Sequence, residues 1–507
     1  MKSNHAGYEK LRKISRHVKV LSGISQLLGW DQETYMPADA GAARGEQLET
    51  LAGIIHKEQT SKKFGNALSE LIDIDSGHIK DATLSPAQKA ALREWRRDYH
   101  HATALPNKFV EEFCKLASQS QLVWRKAKQD DSFQQFAPYL DKIIQMNRKK
   151  ADYLGFKDHP YDALLDLYEP NVTTAEITTL FSSLKHSITD LLKTIQSKKQ
   201  VDASFLFGSF DSDKQIAFSQ DLLDGIGYNK NRGRLDFSAH PFSSSSHPTD
   251  SRITTRIHPT SLMSNLSAVL HEAGHAFYEM GLPVEEFGTP LGESISLGIH
   301  ESQSRWWETR IGHSKPFWTY YFPKLQQAFH SQLKHISLGQ FYKALNQVQP
   351  GFIRIEADEI TYSLHVILRF EMEKALIEGS LKVRDIPEAW NEKMQQLLGI
   401  TPPTIAQGCL QDIHWSMGAF GYFPTYTLGN LYAAHFFEAF EKQHPQWDKQ
   451  VEGGDVQFIR NWLHENIHQH GRRYTGKELL EKTTGKALDA SAYTKYLKHK
   501  YSEIYNN

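Results

Sequence analysis

The chain has 507 residues, of which 40% are apolar and 11% aromatic, enough to form a large buried core. Its 58 basic and 59 acidic residues give a net charge of -1, which argues against nucleic acid or an anionic membrane as a partner. The two cysteines, Cys114 and Cys409, are too few for a disulfide framework and favour a reducing compartment.

The N-terminal segment predicts a helix rather than a targeting signal. Residues 1–16 include several basic side chains but no apolar run, so we expect no secretory signal. No run of about 18 apolar residues suggests a membrane span anywhere in the chain. From Leu11 to Leu28, apolar residues recur at intervals of three and four, which predicts an amphipathic helix. A soluble, cytoplasmic protein is therefore expected.

The same periodicity returns through most of the chain. Further helices are predicted at Phe109 to Trp124, Phe136 to Met146, Ile177 to Ile195, Leu262 to Met280, Phe341 to Val348, Ile353 to Ile377, Tyr426 to Phe440 and Phe458 to Ile467. From Gly233 to Ile257 polar residues dominate and the helical period is lost, which predicts a small β-element or an ordered loop. We therefore predict a mostly α fold with one continuous domain over residues 1–507, two lobes being the alternative.

The helix predicted at Leu262 to Met280 contains His271-Glu272-Ala-Gly-His275, a match to the H-E-x-x-H motif. Because residues i and i+4 lie on one face of a helix, both imidazoles can point at one metal ion. Glu272 is close enough to polarise a water at the open coordination position of zinc. We predict His271 and His275 as zinc ligands and Glu272 as the group that activates the attacking water. The alternative is a helix with two solvated histidines.

A catalytic zinc ion requires a third protein ligand. Segment 291–307 offers two carboxylates, Glu293 and Glu301, whereas residues 281–290 contain no histidine. We predict Glu301 as the third ligand because it falls on a second helix in a suitable register, with Glu293 as the fallback. The alternatives are an ordinary surface glutamate for Glu301 and a carboxylate at a helix start for Glu293.

Several further motifs accompany the metal-binding motif. They are Leu28-Gly-Trp-Asp-Gln-Glu-Thr34, His240-Pro-Phe242, Asp250-Ser-Arg-Ile-Thr254, His300-Glu-Ser-Gln303, Ile353-Arg-Ile-Glu-Ala-Asp358 and Gly408-Cys-Leu-Gln-Asp-Ile-His-Trp415. In this order, and over essentially the whole chain, they resemble the carboxypeptidase Taq family. The resemblance implies a helical bundle with a deep active-site groove, like that of neurolysin and angiotensin-converting enzyme. It also implies a homodimer, zinc or cobalt as the metal, and release of single C-terminal amino acids from peptides with broad specificity.

The resemblance also implies roles for residues outside the metal site. His414 and Tyr426 are spaced like the His and Tyr pair of related helical zinc peptidases, so Tyr426 is expected to donate to the oxyanion with help from His414. Tyr422 is the rival donor, and a core aromatic residue is the alternative for each tyrosine. Arg252 and Asp250, with His240, are expected to close one end of the groove, which would enforce exopeptidase action. A loop histidine is the alternative for His240.

An exopeptidase that acts at C-termini must bind a free carboxylate, and the planar guanidinium of arginine matches its two oxygens. Arg354, in the apolar stretch from Phe352 to Ala357, is the predicted residue. The alternative is a buried ion pair with Asp358, one helical turn further on, and both can hold in part.

Two other functions are compatible with the same residues. An endo-acting oligopeptidase or a dipeptidyl carboxypeptidase would keep every zinc role and change only the closed end of the groove. An inactive helical scaffold would be marked by loss of Glu272 or of a ligand, and all four residues are present. Peptides with a free C-terminal carboxylate are the expected substrates.

Overall fold

The structure, a computed structural model, describes residues 6–506. Its first half is almost entirely helical. Its helices are α1 (Ala6–Thr34), α2 (Gly41–Gln59), α3 (Lys62–Ser69), α4 (Pro86–Ala104), α5 (Asn107–Gln129), α6 (Phe133–Leu154), α7 (Pro160–Leu165), α8 (Thr174–Gln196) and α9 (Ser212–Gly225). The helices predicted from the periodicity of this half are confirmed.

A small sheet separates these helices from the second half of the chain. It consists of β1 (Leu235–Phe237), β2 (Ser243–His247) and β3 (Asp250–Thr255). The central strand β3 pairs in parallel with β1 and antiparallel with β2. These strands lie within the segment from Gly233 to Ile257, so the predicted β-element is confirmed.

The second half of the chain is again helical. Its helices are α10 (Leu262–Gly281), α11 (Leu297–Arg305), α12 (Lys315–Ala328), α13 (His330–Leu333), α14 (Leu338–Leu345), α15 (Tyr362–Glu378), α16 (Ile386–Leu398), α17 (Pro424–Gln443), α18 (Trp447–Glu452), α19 (Gln457–Asn466), α20 (Gly476–Thr484) and α21 (Ser491–Tyr505). A π-helix, Trp306–Gly312, directly continues α11. The predicted fold class, mostly α with a small β-element, is therefore confirmed.

The apolar core fixes the position of α10. Leu266, Val269 and Leu270 are buried in a large cluster of apolar side chains drawn from residues 124–505. Burial of such side chains stabilises a fold by about 1.5–3 kcal/mol each. Helix α10 also packs against β2, β3 and α11. A second, smaller cluster joins α1, α3 and α4. The single domain over residues 1–507 stays a prediction.

Within residues 6–506, none of the helices combines the length and the apolar character that crossing a bilayer requires. The long helices α10 and α17, which are rich in apolar residues, instead contribute buried side chains to the core. Their hydrophobicity is therefore accounted for by packing inside the protein.

The helix predicted at Ile353 to Ile377 begins later, at Tyr362. Arg354–Glu356 form a single 3-10 turn instead. Asp358 accepts hydrogen bonds from the backbone N–H groups of Ile360 and Thr361, both at 2.9 Å. Aspartate that bonds to nearby backbone in this way competes with helix formation. The alternative of an ion pair between Arg354 and Asp358 is wrong, because Asp358 is engaged in this turn and Arg354 binds elsewhere.

Candidate active site

Helix α10 presents His271 and His275 to Glu301 of α11. The Nε2 atoms of the two histidines lie 3.7 and 3.4 Å from Oε2 of Glu301. One ligand atom from each residue lies within 4.8 Å of the others. In a tetrahedral zinc site with bonds of about 2.0–2.2 Å, neighbouring ligand atoms are roughly 3.3–3.6 Å apart. The structure therefore groups the three predicted ligands at a spacing that one ion can bridge.

Two glycines allow α11 to lie between α10 and α17. A Cβ atom at Gly274 would lie 2.4 Å from the carbonyl oxygen of Gln303 on α11. A Cβ atom at Gly429 of α17 would lie 2.5 Å from Cγ of Glu301. Both distances are far shorter than a van der Waals contact, so neither position accommodates a side chain. Gly274, one of the two variable positions of the H-E-x-x-H motif, thus sets how closely Glu301 approaches the histidines.

Gly429→Ala is expected to displace Glu301 and to lower the free energy of unfolding by about 1–3 kcal/mol, the usual cost of overpacking. The affinity for zinc, measured by competition with a chelator, should fall as well. Gly339→Ala in α14 is the matched control, because a Cβ atom there meets no heavy atom within 4 Å. That control should keep its zinc affinity and gain slightly in stability. Unchanged zinc affinity in Gly429→Ala would contradict this explanation.

A carboxylate that the sequence patterns did not indicate fixes the outer side of His271. Nδ1 of His271 lies 2.8 Å from Oε2 of Glu308, and Arg305 donates to the same oxygen at 2.6 Å. Glu308 belongs to the π-helix that follows α11, and such helices often occur at functional sites. Glu308 lies 37 residues beyond His271 in the sequence. The spacing of the H-E-x-x-H motif therefore gives no signal for this contact.

The electrostatics of the group favour a cation. Burial raises the pKa of Glu272 to about 7, with His271 opposing the shift and Glu301 adding to it. Burial lowers the pKa of His271, but the carboxylates of Glu301 and Glu308 outweigh this effect and raise it to about 9. Two imidazoles next to three carboxylates, of which Glu272 and Glu301 are buried, form a site suited to a divalent metal ion. A bound cation would in turn lower the pKa of Glu272.

His414, Tyr422 and Tyr426 form one cluster at the start of α17. Nε2 of His414 lies 3.1 Å from the hydroxyl oxygen of Tyr426. The ring of Tyr422 lies 5.2 Å from that of His414 and 5.4 Å from that of Tyr426, between centroids. Burial lowers the pKa of His414 to about 3 although the Asp412 carboxylate opposes the shift, so the imidazole is neutral at pH 7. Burial and then the Glu301 carboxylate raise the pKa of Tyr422.

Arg354 is buried beside this cluster. Its Nε and Nη2 donate to Oδ1 of Asp412 at 3.1 and 2.9 Å, and its Nη1 donates to the Tyr362 hydroxyl at 3.1 Å. Arg369 binds the other oxygen of Asp412 at 2.6 Å. A guanidinium has five N–H donors, so three are used and two remain. The guanidinium also lies 4.7 Å from the centre of the Tyr426 ring.

Comparison with known proteins identifies the family. The sequence profile described as Carboxypeptidase Taq (M32) metallopeptidase matches residues 10–501. The chain belongs to the M32 family. Thermostable carboxypeptidase 1 of Thermus thermophilus is 39% identical over 99% of both chains, and carboxypeptidase 1 of Bacillus subtilis is 38% identical over 98% of both. The crystal structure of an M32 carboxypeptidase from Deinococcus radiodurans is 36% identical with a TM-score of 0.95, covering 99% of this chain and 100% of that one.

Membership of the M32 family makes the chain a metallocarboxypeptidase, which is a peptide hydrolase, and implies a metal cofactor. Its described residues fit such a cofactor, since they bring two imidazole nitrogens and a carboxylate oxygen within bridging distance. The fallback ligand Glu293 lies outside this group. It pairs instead with Lys19 at 3.2 Å and Arg472 at 3.4 Å.

The other two residues predicted in this M32 enzyme lie on and beside the sheet. Arg252, on β3, makes two hydrogen bonds to Asp250, at 2.7 and 3.0 Å. Its guanidinium lies 4.5 Å from the centre of the Trp30 ring on α1. His240 lies in the loop between β1 and β2 with an exposed side chain. Their part in closing a groove stays a prediction.

Proposed function

We propose that this M32 carboxypeptidase is a zinc enzyme that removes single amino acids from the C-termini of peptides, with broad specificity. The observation that carries the proposal is the grouping of His271, His275 and Glu301, with Glu272 on the same helix as both histidines. Two histidines and one glutamate are a ligand set of catalytic zinc sites in peptidases. Co²⁺ accepts the same nitrogen and oxygen ligands, so we expect it to substitute.

The protein residues divide the chemistry among them. When bound, the zinc ion would polarise the scissile carbonyl and lower the pKa of water. Glu272 accepts a proton from the attacking water and passes it to the leaving amine. The Tyr426 hydroxyl donates to the carbonyl oxygen as negative charge develops there, and His414 orients that hydroxyl through the 3.1 Å contact.

Arg354 supplies the selectivity for a free C-terminus in this proposal. Its two remaining N–H donors bind the terminal carboxylate, while Asp412 and Tyr362 hold the guanidinium in place. Because the guanidinium also contacts the Tyr426 ring, the carboxylate and the scissile bond are aligned by adjoining side chains. Arg252 and His240 close the end of the groove beyond the released residue.

Mass spectrometry of one peptide in two forms, with a free and an amidated C-terminus, tests the proposal. Zinc-loaded protein should release single residues stepwise from the free form and leave the amidated form intact. Removal of the metal with a chelator should stop the reaction, and Zn²⁺ or Co²⁺ should restore it. Internal cleavage or release of dipeptides would instead support the endo-acting oligopeptidase or the dipeptidyl carboxypeptidase. No cleavage under any condition would refute the proposed function.

The enzyme is further proposed to be a homodimer in the cytoplasm. Cys114 and Cys409 are both free thiols, which supports a reducing compartment. The dimer is supported by the resemblance to the family. Sedimentation equilibrium should give twice the mass of one chain, and a mass of one chain would contradict the dimer.

A further inference from the structure

The outer side of His275 contacts a second histidine rather than a carboxylate. Nδ1 of His275 lies 2.6 Å from Nδ1 of His300, the residue before Glu301 on α11. Nε2 of His300 lies 2.9 Å from Oε1 of Glu279, one turn beyond His275 on α10. The side chains of His275, His300 and Glu279, which we call the relay, thus form a continuous hydrogen-bonded path that leads away from the metal site.

The direction of each hydrogen bond in the relay follows from its outer end. A carboxylate only accepts, so Nε2 of His300 carries the proton. A neutral imidazole has one N–H donor, so Nδ1 of His300 is an acceptor and Nδ1 of His275 is the donor to it. The lone pair of His275 is then at Nε2, the atom that lies 3.4 Å from Oε2 of Glu301.

The outer end of the relay is open to solvent. Glu279 and His300 line a polar cavity of about 410 Å³ between α1, β2 and α10. Lys19 is on the wall of the same cavity, where it pairs with Glu293 at 3.2 Å. The Glu279 carboxylate, at the outer end of the relay, is therefore in contact with this polar cavity.

His271 is held with its lone pair at Nε2 in the same way, but by one contact rather than two. Its Nδ1 contacts the Glu308 carboxylate directly, which leaves Nε2 facing Glu301. Metal-binding histidines generally donate their other N–H to an outer partner, and loss of that partner typically costs 10–100-fold in metal affinity. The two histidines of the motif are therefore oriented by different partners. His271 contacts the Glu308 carboxylate directly, whereas His275 contacts the His300 imidazole, which in turn contacts Glu279.

We infer that His300 and Glu279 are positioning residues that hold His275 in the form with its lone pair at Nε2, and so raise the affinity for the metal ion. This inference rests on the proposed metal site. It predicts that the nitrogens of His300 matter, and not only the shape of its ring. Removal of the nitrogens should change the coordination of the metal even where the protein folds normally.

His300→Phe keeps an aromatic ring and removes both nitrogens. We expect its zinc affinity, measured by chelator competition, to fall about 10–100-fold, and the visible absorption spectrum of the Co²⁺ form to change. His300→Asn retains a polar atom near the position of Nδ1 and should recover part of the affinity. Glu279→Ala acts at the solvated outer end and should lower the affinity in the same direction, which provides a test if His300→Phe does not fold.

His468→Phe is the matched control. His468 is also a buried imidazole packed against α11, but it bonds to Gln303 and not to His275. Zinc affinity within about threefold of the wild type is expected for this control. If the zinc affinity of both His300→Phe and Glu279→Ala also stayed within about threefold of a wild type that binds zinc normally, the role of the relay would be overturned. The proposed function would then be unaffected. Absence of zinc binding by the wild type would overturn the proposed function together with the relay.

Discussion

Glu272→Gln is expected to lower kcat by about 10²–10⁴-fold while the protein still binds its metal, because an amide cannot accept the proton of the attacking water. The substitution keeps the size of the side chain, which is 7% exposed in the core of the site. His271, His275 and Glu301 are untouched, so the ligand group stays complete. The effect should therefore be on turnover and not on metal content.

Two measurements distinguish this outcome from simple loss of the metal. Metal content after gel filtration should equal that of the wild type, and kcat should be measured at saturating peptide. Glu272→Asp serves as the control, since it keeps a carboxylate at a greater distance from the reacting atoms and should retain more activity than Glu272→Gln. Near-normal turnover in Glu272→Gln with metal bound would remove Glu272 from the proposed mechanism.

The local order of the fold could be read from the sequence because it depends on short-range periodicity. His271 and His275 share a face of α10 for the same reason, which is why the motif predicts their grouping. Glu301 was predicted as the third ligand from its register on a second helix. The small sheet was predicted from the loss of the helical period between Gly233 and Ile257. Except for Glu301, which lies 26 residues beyond His275, these inferences use residues that are near one another in the chain.

The interactions that sequence reasoning missed join distant residues or depend on close packing. Arg354 pairs with Asp412, which is 58 residues away, whereas sequence spacing offered Asp358, one helical turn further on. Glu308, in the π-helix that follows α11, contacts His271 across 37 residues of sequence. Similarly, no pattern distinguishes Gly429, which touches Glu301, from the glycines that face open space. These contacts are set by how helices pack, which the local sequence does not encode.

Tyr426→Phe is expected to lower kcat by about 10²–10³-fold with little change in KM, because the hydroxyl acts on charge that appears only in the transition state. Tyr422→Phe is the matched control. It removes an equivalent hydroxyl from a ring 5.4 Å away and should cost less than about tenfold. The reason for choosing Tyr426 is its fixed orientation, since His414 contacts the hydroxyl at 3.1 Å and Arg354 lies against the ring.

A double-mutant cycle between His414 and Tyr426 tests whether the contact between them is what prepares the hydroxyl. His414→Phe alone should lower kcat by less than Tyr426→Phe does, because the hydroxyl remains but is less well oriented. If His414 acts only through Tyr426, the double variant should be no slower than Tyr426→Phe, as expected for residues that act as a unit. Additive losses would mean that His414 acts on the substrate independently. A larger loss in Tyr422→Phe than in Tyr426→Phe would transfer the oxyanion role to Tyr422.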